Sequence, residues 1–185
     1  MGYRARSYKT EGFILKKKNY GEADRIITIF TKYHGKLVVL AKGIRKITSR
    51  KSPHMEVFNK VSLYIVSGKT FSIVTEAQTV ETYPCLKTNL PVVAHAYHLV
   101  ELVDKLCAEK EVYPSVFYLL ERSFKDLDKN PELAQAISEQ FSLSFLREMG
   151  YLAPGKIMTG DELENYLRGV LERNLSSSSL LTRVS

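Results

Sequence analysis

The hydrophobic period of this chain changes once, near Tyr83-Pro84, and that change constrains the fold more than any other feature. Before it, short runs of β-branched and aromatic residues alternate between apolar and polar, as in Val61, Leu63 and Ile65 set against Ser62, Tyr64 and Val66. A period of two is that of a strand with one buried face. Five strands are expected, near Tyr8–Lys17, Arg25–Lys32, Lys36–Lys42, Val57–Ser67 and Thr70–Val80, with hairpin turns at Tyr33-His34-Gly35 and Ser67-Gly68-Lys69. Between strands three and four the polar, basic stretch 43–56 interrupts the pattern. Five short strands with one long connection at that point suit a small barrel of the OB type.

After the change, apolar residues recur every three or four positions, the spacing of helices packed on one side. Val93, Ala96, Tyr97, Val100, Val103 and Cys107 mark a first helix over 91–109, and Phe117, Leu120, Phe124 and Leu127 a second over 114–128. Asn130 before Pro131 reads as an N-cap for a third helix, whose stripe is Ala134, Ile137, Phe141, Phe145 and Met149 and which ends at Gly150. Thr159 with Glu162 forms a capping-box signature for a fourth along Leu163, Tyr166, Leu167 and Val170. The expected class is α+β: a five-stranded OB-type barrel over 1–82, a helical bundle over 83–175, and a Ser-rich tail over 176–185 without regular structure.

Charge follows the same division. Residues 1–80 carry 16 Lys and Arg against 5 Asp and Glu, or +11, while residues 81–185 carry 11 against 15, or −4. A basic half of this kind suits a polyanion, although basic surfaces that only confer solubility are common. Lys16, Lys17, Lys18, Arg25, Lys32, Lys36, Lys42, Arg45, Lys46, Arg50 and Lys51 are the candidate phosphate contacts, since neutralising phosphates releases condensed counterions. Barrels that hold single strands add aromatic faces on which bases stack. Tyr20, Phe30, Tyr33, Tyr64 and Phe71 are available; Tyr20 and Tyr33 fall in predicted loops and are the better stacking candidates, while Phe30 and Phe71 fall in predicted strands and read as core.

Other chemistries find little support. His95, His98 and Glu101 share a helix face, but one helix supplies too few ligands to close a metal site. Cys85 and Cys107 show neither CxxC spacing nor the density of a disulfide framework, and read as reduced structural thiols. Phosphate-loop, nucleophile-elbow and HExxH motifs are absent, and Glu22 and Asp24 flank Arg25 as local ion-pair partners, not as a paired-carboxylate site. We therefore expect a non-enzyme without cofactor or metal. No apolar run approaches membrane-spanning length and the N-terminus lacks a signal-peptide core, so a cytoplasmic location is expected.

Several of these residues stand in a recognisable order. Gly12-Phe13-Ile14-Leu15, the run from Tyr20 through Gly21-Glu22-Ala23-Asp24-Arg25 to Thr31, His34-Gly35-Lys36 and Ala41-Lys42-Gly43-Ile44-Arg45 closely resemble the N-terminal domain of the RecO family of bacterial DNA repair proteins. Weaker similarity continues through Ser49-Arg50, Thr75-Glu76-Ala77, Tyr97, Glu101-Leu102, Gly150-Tyr151-Leu152 and Pro154, so it covers most of residues 8–155. The resemblance implies an OB fold followed by a helical domain. It also implies binding of single- and double-stranded DNA, strand annealing, and RecA loading together with RecR and single-stranded DNA-binding protein. Carried over position by position, it favours Arg25, Lys36, Lys42, Arg45 and Arg50 for phosphate contact. Many members hold zinc through a cysteine cluster in the helical domain, which nothing after Cys107 supplies here, and the family usually continues with further helices beyond the fourth predicted one. An adaptor whose basic barrel binds an acidic protein, and an RNA-binding protein, are the alternative readings.

Overall fold

In the computed structural model, which describes residues 7–68 and 70–184 with side chains through Glu172, five strands close into a barrel in the order β1-β2-β3-β5-β4. They are β1 (Ser7–Tyr20), β2 (Asp24–Thr31), β3 (Gly35–Ala41), β4 (Lys60–Val66) and β5 (Ser72–Glu81). All neighbours are antiparallel except β3 and β5, which run parallel over only two pairs, Val39 with Ser72 and Leu40 with Ile73. A five-stranded barrel with a short parallel closure, followed by helices, is the expected OB-type α+β architecture.

The inner wall is apolar: Ile14, Ile27, Ile29, Val39, Ala41, Val61, Leu63, Ile65 and Val74 form one buried cluster. Alternation along the strands places their neighbours outside. β1 serves two partners, pairing with β4 over Ser7–Phe13 and with β2 over Gly12–Tyr20, and a bulge between Ile14 and Lys16 turns it from one to the other. Gly12, in register with Thr31 of β2 and Val61 of β4, leaves no room for a side chain. A Cβ there would lie 2.7 Å from an Ile29 methyl and 2.8 Å from the Phe30 carbonyl oxygen.

The segment 42–59 adds Ile44 and Met55 to this buried cluster, and its Phe58 is buried as well. Strand four starts at Lys60, later than the Val57 that alternation suggested, because Phe58 takes a left-handed φ of 72° and its neighbours bond to β1 instead. There Phe58 N–H donates to the Ile14 carbonyl at 3.0 Å and Ile14 N–H to the Asn59 carbonyl at 3.1 Å.

By its contacts the chain divides into two compact units, one of residues 1–84 with 108–117, the other of 85–107 with 118–185. The return of 108–117 to the barrel unit has no counterpart in the linear hydrophobic pattern. It is held by a parallel bridge between Lys36 and Glu109 and by the Lys110 N–H, which donates to the Lys36 carbonyl at 2.9 Å. Phe117 then lies against Phe13 and Phe30, with ring centroids 5.1 and 6.1 Å away.

The second unit is built of α1 (Cys85–Thr88), α2 (Leu90–Leu106), most of α3 (Pro114–Lys129), α4 (Ala134–Glu148) and α5 (Gly160–Val184). The short α1 was not anticipated; Asp128 accepts the Cys85 N–H at 2.8 Å and fixes its start. On α2 the buried residues include Leu99, Leu102 and Leu106, and Tyr97 is 52% exposed, so the packed face is rotated from the one read off the sequence. Asn130 does not cap α4. Its amide donates to the Asp126 carbonyl at 3.3 Å, and a 3-10 turn over Pro131–Leu133 intervenes. The stripes of α3 and α5 are as expected, with Leu120, Phe124, Leu127, Leu163, Leu167 and Val170 buried. The helical backbone of α5 continues across 176–184, where no periodicity predicted it, and the side chains there lie outside the described residues. Among the described residues no helix is long and apolar enough to cross a membrane, and no group of three His, Cys, Asp or Glu stands close enough to hold a metal ion.

Candidate nucleic-acid interface

The basic residues singled out in the sequence do not gather on one surface; the barrel sorts them into three groups. The largest lies at the end where β1 turns into β2 and β3 leads into the segment 42–59. Register puts Lys16 beside Thr28, Lys18 beside Ile26 and Tyr20 beside Asp24, and in turn Ile26 beside Leu40 and Thr28 beside Val38. These residues share the outer face of β1, β2 and β3. Lys16 and Lys18 are exposed, and Tyr20 is 47% exposed with its ring edge-to-face against Phe71 at 6.2 Å. Phe71 is half-buried in the β4–β5 loop, so that contact brings the loop to the β1–β2 turn. In OB folds the outer face of strands two and three, flanked by the first and last hairpin loops, is the surface that receives oligonucleotides.

The connection carrying Lys42, Arg45 and Lys46 is fastened to this same end. Asp24 Oδ1 accepts the Gly43 N–H at 2.7 Å, the Ala23 carbonyl accepts the Arg45 N–H at 2.9 Å, and Arg45 Nη1 donates to the Gly21 carbonyl at 3.3 Å. Arg25 Nε donates to Asn19 Oδ1 at 3.2 Å across the same hairpin. Arg25 and Arg45 therefore shape the turn, while Lys42 and Lys46 are exposed beside it. Lys17 points the other way from its neighbours, in register with the core residue Ile27, and pairs with Glu56. That ion pair removes it from the outer row.

A second group lines a groove on the outer face of β4 and β5, where Arg50, Lys51 and His54 meet Lys9 and Tyr64. Lys51 Nζ donates to the Val74 carbonyl at 2.9 Å, and burial lowers its pKa from the usual lysine value despite the nearby Asp24 carboxylate. His54 Nδ1 accepts the Thr79 N–H at 3.2 Å and lies 2.9 Å from the Thr79 hydroxyl, which pins the connection to β5. Tyr64 is one of the aromatic residues that the sequence offers for stacking, whereas Lys9 and His54 carried no phosphate-binding signal of their own, because only the pairing of Lys9 with Tyr64 brings β1 to this groove.

The third group, Lys32, Tyr33 and Lys36, sits at the far end of β2 and β3. Tyr33 is 65% exposed with the Lys32 ammonium 5.1 Å from its ring centre. Lys36 is a correction to the surface set: it is only 8% exposed, beside Phe30 in register, on the part of the outer wall that the 108–117 segment covers. Phe30 is fully buried by the same cover, as read from the sequence.

In the helical unit, His98 is partly buried and reaches Ser142. Ser142 Oγ donates to the Ser138 carbonyl at 2.9 Å, and with that proton committed it accepts from His98 Nε2 at 3.1 Å. Burial holds the His98 pKa below its ordinary 6.5, more strongly than the Glu101 and Glu164 carboxylates raise it.

Comparison with known proteins agrees with this anatomy. The sequence profile described as "Recombination protein O N terminal" matches residues 5–83, and that described as "Recombination protein O C terminal" matches residues 88–154. A DNA repair protein RecO of Bifidobacterium longum is 34% identical over 146 residues, covering 78% of this chain and 61% of the relative. That of Roseiflexus sp. is 32% identical over 148 residues, covering 80% and 52%. That of Dehalococcoides mccartyi is 31% identical over 144 residues, covering 78% and 56%. The chain thus spans between half and two thirds of the length of these curated relatives. Among solved structures, the S. pombe Stn1-Ten1 complex aligns with 54% of this chain and 76% of its own at 17% identity, with a TM-score of 0.33, too distant to add to the fold described above. With both profiles aligned to its barrel and its helices, and relatives of the same name along most of its length, the chain belongs to the RecO family.

Proposed function

We propose that this protein binds single-stranded DNA on the open outer wall of β1, β2 and β3 and serves recombinational repair as an accessory factor with no catalytic step of its own. The observation that carries the reading is the meeting of Lys16, Lys18, Lys42 and Lys46 with the exposed Tyr20 ring at one end of a small barrel. Cations neutralise the backbone and the aromatic face receives a base, a combination that is indifferent to sequence. The relatives' name, DNA repair protein RecO, favours DNA over RNA as the polyanion. Double-stranded DNA would meet the same cations. Strand annealing, RecA loading, and docking of a RecR-like protein and of single-stranded DNA-binding protein are the activities and partners that the family relation points to. An acidic protein surface would use the lysines but leave Tyr20 without a role.

The test reverses charge where no structural bond is lost. Arg25 and Arg45 hold the turn, so Lys18→Glu, Lys42→Glu and Lys46→Glu are combined, with circular dichroism to verify the fold. Fluorescence anisotropy of a labelled oligothymidine should show affinity falling at least about tenfold, and the slope of log K against log salt shrinking by about 2, from ~0.7 per single-strand phosphate contact. Unchanged affinity and slope would move DNA off this wall. Binding to an acidic protein but to no oligonucleotide would favour the adaptor.

A further inference from the structure

The groove on β4 and β5 is separate from the wall just described and holds about 590 Å³, within the range of sites that take small molecules or parts of larger ones. Its composition is that of a nucleotide-holding surface. Lys9 and Arg50 are exposed cations, and Lys51 has one N–H on the Val74 carbonyl, leaving two of its three donors uncommitted by that bond. The Tyr64 ring, 39% exposed, stands between Lys9 on one side and Glu76 on the other in the strand register. Glu76 is a carboxylate of the lining; it repels phosphate but accepts hydrogen bonds from exocyclic amino groups of bases. Cations thus flank the aromatic ring on both sides, Lys9 from β1 and Lys51 from the β5 side where Glu76 also stands, and the connection 42–59, pinned through His54 to Thr79, forms the rim.

We infer that this groove is a second nucleic-acid site, which holds a separate strand segment while the β2–β3 wall holds the first. The inference rests on the nucleic-acid reading above and deepens it: one barrel carries two strands at once. Phosphates of the second strand lie against Lys9, Arg50 and Lys51, and a base stacks on Tyr64.

The experiment uses the full chain and two non-complementary labelled oligonucleotides, oligothymidine and oligocytidine, so that base pairing cannot join them. The first is bound to saturation, and the second is titrated in while energy transfer between the labels is read; sedimentation gives strands per chain. Wild type should take both strands. Lys9→Glu with Arg50→Glu should weaken the second strand at least tenfold and the first less than twofold, whereas the Lys18, Lys42 and Lys46 reversal should do the opposite. Tyr64→Ala should weaken the second strand severalfold, and Tyr64→Phe, which keeps the ring and loses only the bond between its hydroxyl and Ser7, should not. Saturation at one strand per chain would overturn the inference while leaving the first site standing, and so would a second strand indifferent to Lys9 and Arg50. A wild-type protein that binds neither oligonucleotide would overturn the nucleic-acid reading itself.

Discussion

Gly35 shows how much can hang on a single residue. It turns β2 into β3 with a φ of 66°, and a Cβ there would lie 2.0 Å from the Glu111 carbonyl oxygen, a backbone atom that cannot step aside. Gly35→Ala therefore combines a left-handed backbone with a clash, and we expect a loss of about 2–4 kcal/mol. Denaturant titration gives the loss, and hydrogen exchange at Lys110, whose N–H bonds the Lys36 carbonyl, should show faster opening than in wild type. His98 offers a pH-dependent counterpart. Its folded pKa lies below the ordinary 6.5, so at mildly acid pH the unfolded chain takes up more protons than the folded one. The stability held by neutral His98 is complete above pH 6.5 and is lost as pH falls through the folded pKa. Thermal melts at pH 7.5 and at about pH 5 should show a larger drop for wild type than for His98→Gln, which retains a donor for Ser142 without the titration. Neither residue declared these roles in the sequence. A glycine after Tyr-His is an ordinary hairpin signal, and a histidine beside a glutamate reads as surface until Ser142 is brought to it from α4.

At the scale of elements, periodicity identified all five strands and the four principal helices, because alternation and three-to-four spacing are local properties of the chain. It failed where an element's role is set by something distant. Strand four starts late because Phe58 turns the chain into β1; α1 exists because Asp128 accepts its first N–H; the buried face of α2 is chosen by the helices packed on it. The segment 108–117 is the clearest case, for nothing in Ala108 to Tyr113 announces that it will pair with Lys36 and lead Phe117 onto Phe13 and Phe30. Phe117 is 1% exposed, and Phe117→Ala should cost about 3–5 kcal/mol, the usual range for emptying a buried aromatic site. Val112→Ala in the same segment, at 42% exposure, should stay within about 0.5 kcal/mol. Equal effects of the two substitutions in denaturant titrations would mean that the segment is not anchored through Phe117.

Over the whole molecule, a basic half and a mildly acidic half remain the dominant electrostatic fact, and net charge of this kind acts on encounter and partner choice more than on fold. The strong salt dependence expected of the proposed oligonucleotide binding belongs to this scale, since it sums every phosphate contact of the proposed interface. The linear sequence was sufficient for the class, the family, the number of strands and the set of cations that makes the first half basic, because composition, period and motif order survive in one dimension. It was not sufficient for the grouping of those cations. Lys16, Lys17 and Lys18 are adjacent in the chain, yet alternation sends Lys17 to Glu56 and its neighbours to the outer wall. Lys36 matches the family motif but lies beneath a segment more than seventy residues later in the chain, and Lys9 joins Arg50 and Tyr64 only when β1 closes the barrel on β4. Which charges face one ligand is a property of strand register and barrel closure, and both are decided by long-range backbone pairing that no local pattern records.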